Sequence, residues 1–198
     1  MCTLSLNRRE AVSFPFAALA AGLAGALAAA CSSAPAPRVV DRLDQSTGTT
    51  VIVVAKPVEL VTAESRGPSA DPFAFAAPFV VDRMGNREQY LWISVPQDNG
   101  SPSSTRVFCG DTPLELAAVQ LDLARLQLSK PPYPPVAAWS GDWYYRLPDA
   151  ALGCLASAQR MSIEATVDNK DGKRTDRFES QANDLQGFGA FQAHLKGQ

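Results

Sequence analysis

Phe73-Ala-Phe-Ala-Ala-Pro-Phe-Val-Val-Asp-Arg83, then Met84-Gly85-Asn86, then Gln89-Tyr-Leu-Trp-Ile-Ser-Val95: on the reading of this stretch the fold class turns. Aromatic and β-branched residues crowd both arms, which suits a pleated surface better than a helix. Each arm therefore reads as a strand, with Gly85-Asn86 as the turn that makes them a hairpin. Tyr90 and Trp92 share one face of the second arm, where rings of that size are expected to be core.

The pattern extends in both directions. Upstream, Thr50-Val-Ile-Val-Val54 is a core strand, Lys56-Pro57 breaks it, and Val58 to Ala63 alternates as a second strand. Arg66 to Pro72 is loop chemistry, and Pro96 to Ser104 reads as a polar, mobile connection. Thr105-Arg-Val-Phe-Cys109, Gly110-Asp111 and Pro113-Leu-Glu-Leu-Ala117 form another hairpin with a loop after it. Thr112-Pro113-Leu114-Glu115 also resembles a helical capping box. Glu115, Gln120, Asp122, Arg125 and Gln127, however, scatter around a helical wheel, so an amphipathic helix is not supported.

Ser129-Lys-Pro-Pro-Tyr-Pro-Pro-Val136 carries four prolines and must be extended, a stiff connector lying over the domain. Trp139-Ser-Gly-Asp-Trp143-Tyr-Tyr145 feeds a short strand ending at Leu147. Pro148 to Gln159 spaces Ala151, Leu152, Leu155 and Ala158 as a helix with proline at its start, and Cys154 rides on it beside the core face. Met161 to Val167 and Thr175 to Glu179 flank a Lys170-Asp-Gly-Lys173 turn. Ala182 to Leu195 closes the chain as an amphipathic helix, weakened by Gly187 and Gly189. The expected fold is α+β: mostly antiparallel β-sheet, curled or sandwich-like, with two C-terminal helices covering one side.

At the N-terminus Arg8-Arg9 is followed by an apolar run from Val12 to Leu27, and small residues lead from Leu27-Ala-Ala-Ala into Cys31. This stretch resembles a bacterial lipoprotein signal peptide, a family that is cleaved before such a cysteine and lipidated on it. The resemblance implies a signal peptide over 1–30, a lipid on Cys31 and attachment to a membrane. An uncleaved anchor from Ala11 to Ala30 is the competing reading. Asn7 to Val12 also resembles a twin-arginine export signal, so the export route stays open. Ser32 after the cysteine resembles the pattern of lipoproteins sent to the outer membrane. Residues 31–46 are a flexible, proline-bearing tether and 47–198 a single globular domain.

In the oxidising compartment that this resemblance implies, Cys109 and Cys154 remain as a disulfide pair, with two separate buried thiols as the alternative. Such a bond would contribute about 4 kcal/mol on the chain-entropy model. Taking Arg8, Arg9 and Glu10 out of 18 basic and 20 acidic residues leaves 16 and 19, a net charge of −3. That balance suits no nucleic-acid partner, and no nucleotide-cradling glycine loop occurs.

Few chemistries have the residues they need. His194 is the only histidine and lies near the C-terminus, a solvated helix end, so no Ser-His-Asp or Cys-His arrangement and no catalytic residue is expected. Metal sites need clustered His or thiolate, and neither CxxC nor HExxH is present; no metal and no cofactor are expected. Asp171 and its neighbours fall at calcium-loop offsets, but Val167 and Phe178 occupy the terminal ligand positions, so this is a hairpin turn. Trp139, Asp142, Trp143 and Tyr145 are the one local constellation suited to a glycan: aromatic faces for sugar rings beside an acid. The favoured reading is instead that these rings alternate into the core and cap it, with Asp142 in a Gly-Asp turn. The expected function is a lipid-anchored, non-catalytic periplasmic adaptor that binds an envelope protein. A glycan- or cell-wall-binding domain using Trp139 to Tyr145 and a carrier of an apolar ligand are the alternatives. No functional residue beyond Cys31 is implied by the likeness to envelope lipoproteins.

Overall fold

The computed structural model describes residues 37–62, 74–96, 102–136, 140–169, 172–181 and 184–198. All lie in one compact unit, Ala36–Gln198. The 1–30 segment, Cys31 and Trp139 lie outside the described residues. In chain order the elements are β1 (Val39–Asp44), β2 (Thr49–Val54), β3 (Val58–Thr62), β4 (Ala74–Arg83), β5 (Asn86–Pro96), β6 (Pro102–Cys109), β7 (Thr112–Leu114), β8 (Ala118–Val119), α1 (Leu123–Leu126), β9 (Ser140–Arg146), α2 (Asp149–Ser157), β10 (Met161–Asn169), β11 (Gly172–Ser180) and α3 (Gln186–Lys196). The architecture is α+β: antiparallel strands in the order β7-β6-β10-β11-β3-β4-β5-β9-β8, with β1 joined through β2 to β4.

The β4–β5 hairpin is the spine, paired from Phe75↔Ser94 to Arg83↔Asn86. Its turn is Met84-Gly85, one residue earlier than the expected Gly85-Asn86. Both turn residues have positive φ, 53° and 86°, as a two-residue turn matching the twist of its strands requires. Asn86 is thereby free to start β5. The Asp82 carboxylate accepts the Gly85 N–H and the Arg87 guanidinium, closing the turn.

β2 and β3 both pair with the same edge of β4, β2 opposite Phe79 to Asp82 and β3 opposite Ala74 to Ala76. Between them Lys56-Pro57 breaks the strand, and the sheet branches there: β2 continues to β1 and β3 to β11. Pro78, which lacks an N–H, sits in β4 where the two partners separate, so a central strand tolerates it.

Both faces of this sheet are covered, which is why β2 and β4 read as unbroken apolar runs. On one face Ile52, Val54, Leu60, Val80, Leu91 and Ile93 meet Leu152 and Leu155 of α2 and Phe188 and Phe191 of α3. Gly187 permits the approach of α3 to β2, since a Cβ there would lie 3.1 Å from Val54 Cγ1. On the other face Val51, Val53, Phe79, Val81, Tyr90 and Trp92 lie under Leu126, Leu128 and Tyr133. The proline-rich connector is thus the cover of a second core. Tyr133 stacks on Trp92 with centroids 4.8 Å apart and meets Phe79 edge-on at 6.4 Å. Arg42 donates to the Pro131 carbonyl, and the Ser129 N–H to Asp44, tying the connector to β1.

Three further expectations need correction. Val39–Asp44 belongs to the sheet and not to the tether, because Val39 and Val40 turn into opposite cores. Its charged residues hid the alternation, since an edge strand leaves Asp41, Arg42 and Leu43 exposed. Pro102 to Ser104, read as part of a mobile connection, begins β6 and pairs with β10. Asp142 lies inside β9, opposite Ser94, and not in a turn.

Candidate functional site

Strand geometry first decides the aromatic segment. Successive side chains of β9 alternate between faces. Tyr145 is buried in the helix-covered core and Trp143 packs against it, whereas Tyr144 packs against the core under the connector. By the same alternation Asp142 shares the face of Tyr144, so Asp142 is not brought together with Trp143 and Tyr145. These three residues therefore do not build one aromatic cleft with an acid in it. Desolvation pushes the Asp142 carboxyl up, opposed by the Ser94 hydroxyl and the Trp92 indole N–H that face it. Ser94 Oγ and Trp92 Nε1 are themselves buried without a hydrogen bond of full geometry.

His194 does not stand free in solvent. Its Nε2 lies 2.8 Å from Asp41 Oδ1, and Gln198 Nε2 reaches the other carboxylate oxygen, so the end of α3 is clasped to β1. Among the described residues no group of three or more His, Cys, Asp or Glu could hold a metal. None of the helices described is long and apolar enough to cross a membrane.

A concave site lies at the far end of the sheet. Cys109 ends β6 and Cys154 sits on α2, and the two form a disulfide with their Cα atoms 6.2 Å apart. Beside this bond opens a groove of about 800 Å³, bounded by Val61, Cys109, Cys154, Ala158, Arg160 and Glu179 among others. Its construction is local. α2 stops at Ser157, whose hydroxyl donates to the Gly153 and Cys154 carbonyls, and Arg160 returns the chain to the sheet through a 2.9 Å bond from the Gly110 N–H to its carbonyl. Ser180 Oγ accepts the Met161 N–H, so this hydroxyl is structural.

Charge on the groove wall is internally balanced. Arg160 reaches Asp111 at 2.6 Å and Glu179 at 3.7 Å, and Glu179 is held on its other side by Arg177 at 3.0 Å. Arg177 continues to Glu164, and Glu164 to Arg106, giving an alternating row across β11, β10 and β6. Arg106 and Arg177 both lie over the Phe108 ring, at 5.7 and 5.4 Å from its centroid. The groove thus joins an apolar, sulfur-bearing wall to a polar wall carrying Gln159, Gln181 and a compensated ion pair. Such a surface can hold an uncharged chain with amides along one side.

Sequence reading reached Cys109 and Cys154 as a pair but missed Arg160 and Glu179. Joining the two cysteines already brings Gly110 near the end of α2, and Arg160 follows that end directly. The signal was the pairing itself.

The chain matches no protein-family model, no curated protein and no solved structure.

Proposed function

We propose that this protein is a lipid-anchored domain of the bacterial envelope that binds a protein partner and catalyses no reaction on it. Cys31 is its anchoring residue, the outer membrane its favoured address, and the groove beside Cys109–Cys154 its contact surface. The observation that carries the reading is the disulfide, a bond that persists in oxidising compartments. It stands in a chain whose Arg8-to-Cys31 stretch resembles a lipoprotein signal peptide. The mixed wall of the groove fits an extended peptide segment, with main-chain amides toward Gln159 and Gln181 and side chains toward Val61 and Ala158.

Packing of Trp143 and Tyr145 against the helix-covered core speaks against glycan binding by those rings, and filled sheet faces speak against an internal apolar cargo. In cells, Cys31→Ala is expected to release the domain from membranes. A photo-crosslinker at Gln181 is expected to trap one discrete envelope protein. Membrane retention of the Cys31 variant would overturn the anchor, and adducts only to lipid or to the chain itself would overturn the partner.

A further inference from the structure

We propose that Cys109–Cys154 is an exchangeable disulfide, opened and closed in the folded protein by a dithiol reductant that reaches it through the groove. It concerns the same groove and bond as the partner reading above, and its test counts thiols rather than captured partner, so either can fail without the other. Two independent features of the site carry it.

First, the fold does not need the bond to place its ends. Cys109 is fixed by ladder pairing with Met161 on one side and Thr112 on the other. Cys154 is fixed by α2, whose Ala151, Leu152 and Leu155 are buried in the core at 9%, 2% and 0% exposure. With the bond open, the same ladder and the same helix hold the two sulfurs within reach of each other. A pair placed in this way is preorganised for repeated closure.

Second, the bond lies in the wall of an open groove. Both cysteines contribute to the groove of about 800 Å³. Cys154 is half-buried while Cys109 is 7% exposed. Exchange requires a thiolate to reach a sulfur atom, and of the two cysteines Cys154 is the more accessible from the groove.

The asymmetry assigns the order of events. A reductant thiolate attacks Cys154 Sγ, forming a mixed disulfide, and the Cys109 sulfur leaves as a thiolate that takes a proton from water. The reductant's second thiolate then attacks its own sulfur in the mixed disulfide and releases Cys154 as a thiolate, which is protonated in turn. Two electrons pass from the reductant, which ends as a disulfide, to this protein, which ends with two thiols. Cys154 is the exchanging residue and Cys109 the leaving one, and in the reverse, closing direction the Cys109 thiolate attacks the mixed disulfide at Cys154 and expels the other thiolate.

The test uses the full chain in native buffer with dithiothreitol as reductant, thiols being counted by alkylation and mass spectrometry. Two thiols should appear at a rate linear in reductant and altered less than about twofold by urea below the unfolding transition, since no global opening is needed. Circular dichroism should be retained, and removal of reductant should restore the bond. As a second measurement, oxidised glutathione should modify Cys154 in Cys109→Ser at least about tenfold faster than Cys109 in Cys154→Ser. A bond that opens only when the chain unfolds would overturn the proposal, and equal reactivity of the two thiols would overturn the assignment of Cys154. If neither variant folds, the urea dependence of the wild-type rate still decides it.

Discussion

The Tyr133 hydroxyl donates to the Pro78 carbonyl at 2.7 Å while accepting the Val54 N–H at 3.1 Å. Val53 pairs with Phe79, so Val54 and Pro78 are the next residues along the two strands, and β2 leaves β4 there. The phenol therefore stands between backbone groups that an unbroken ladder would have joined directly. A residue from the connector completes the hydrogen bonding of the central strand at its branch point. Tyr133→Phe removes one oxygen and leaves a buried N–H and a buried C=O without that partner. The expected loss is about 2 kcal/mol, the cost of orphaning buried polar groups. Urea unfolding of the two proteins measures it, and a loss below about 0.5 kcal/mol would show that the strands close the gap themselves.

Burial protects all four tyrosines from ionisation, Tyr90, Tyr133 and Tyr144 at the core under the connector and Tyr145 in the helix-covered one. Burial raises the pKa of Tyr90, Tyr133 and Tyr145, and pushes that of Tyr144 up to about 12. A raised folded-state pKa favours the neutral phenol, so this contribution to stability is complete below about pH 10, the ordinary tyrosine value, and is lost as pH rises toward the folded values. Phenolate absorbance should therefore stay low through pH 10 and then rise together with loss of the circular-dichroism signal. Four phenolates titrating with a midpoint near 10 in a chain that stays folded would contradict the burial of these rings.

Much of this was legible from residues whose signals are local. The β4–β5 hairpin follows from aromatic and β-branched composition, α2 from Pro148 and the spacing of Ala151, Leu152 and Leu155, and the disulfide from counting cysteines. What was not legible depends on neighbours remote in sequence. β1 needed β2 to reveal it, because its exposed edge carries Asp41 and Arg42 where an alternating pattern would show apolar residues. Asp142 and Trp143 are adjacent in sequence, and strand alternation sends them to opposite faces. Arg160 and Glu179 form one wall of the groove only because β11 and the end of α2 meet there. The turn was misplaced by one residue because Met84 takes a left-handed conformation that sequence rules reserve for Asn or Gly.

That conformation makes Met84 an improvable position. Its φ is 53° and its side chain is fully exposed, so the residue bears the cost of a left-handed backbone and packs against nothing. Met84→Asn creates an Asn-Gly pair, the preferred sequence for this two-residue turn. The gain should be about 1 kcal/mol, the scale of the steric penalty relieved. Thermal melting at fixed pH reads it directly, and an unchanged or lowered midpoint would mean that Met84 has contacts beyond the turn.

Two glycines of α3 should respond in opposite directions to the same change. At Gly189 an added Cβ would sit 3.5 Å from the Ala156 carbonyl oxygen, an ordinary contact. Gly189→Ala should therefore stabilise by about 0.5–1 kcal/mol, since alanine loses less backbone freedom in a helix. At Gly187 the added Cβ would lie 3.1 Å from Val54 Cγ1, on a β-branched side chain that is itself buried. Val54 has little freedom to turn away. Overpacking of about 1–3 kcal/mol then outweighs the helical gain, and Gly187→Ala should destabilise. Comparing the two variants by urea unfolding separates propensity from packing, because both changes are chemically identical. Stabilisation at both positions would mean that α3 can shift on the sheet. Stabilisation at neither would mean that its contact with α2 is tighter than the Ala156 distance implies.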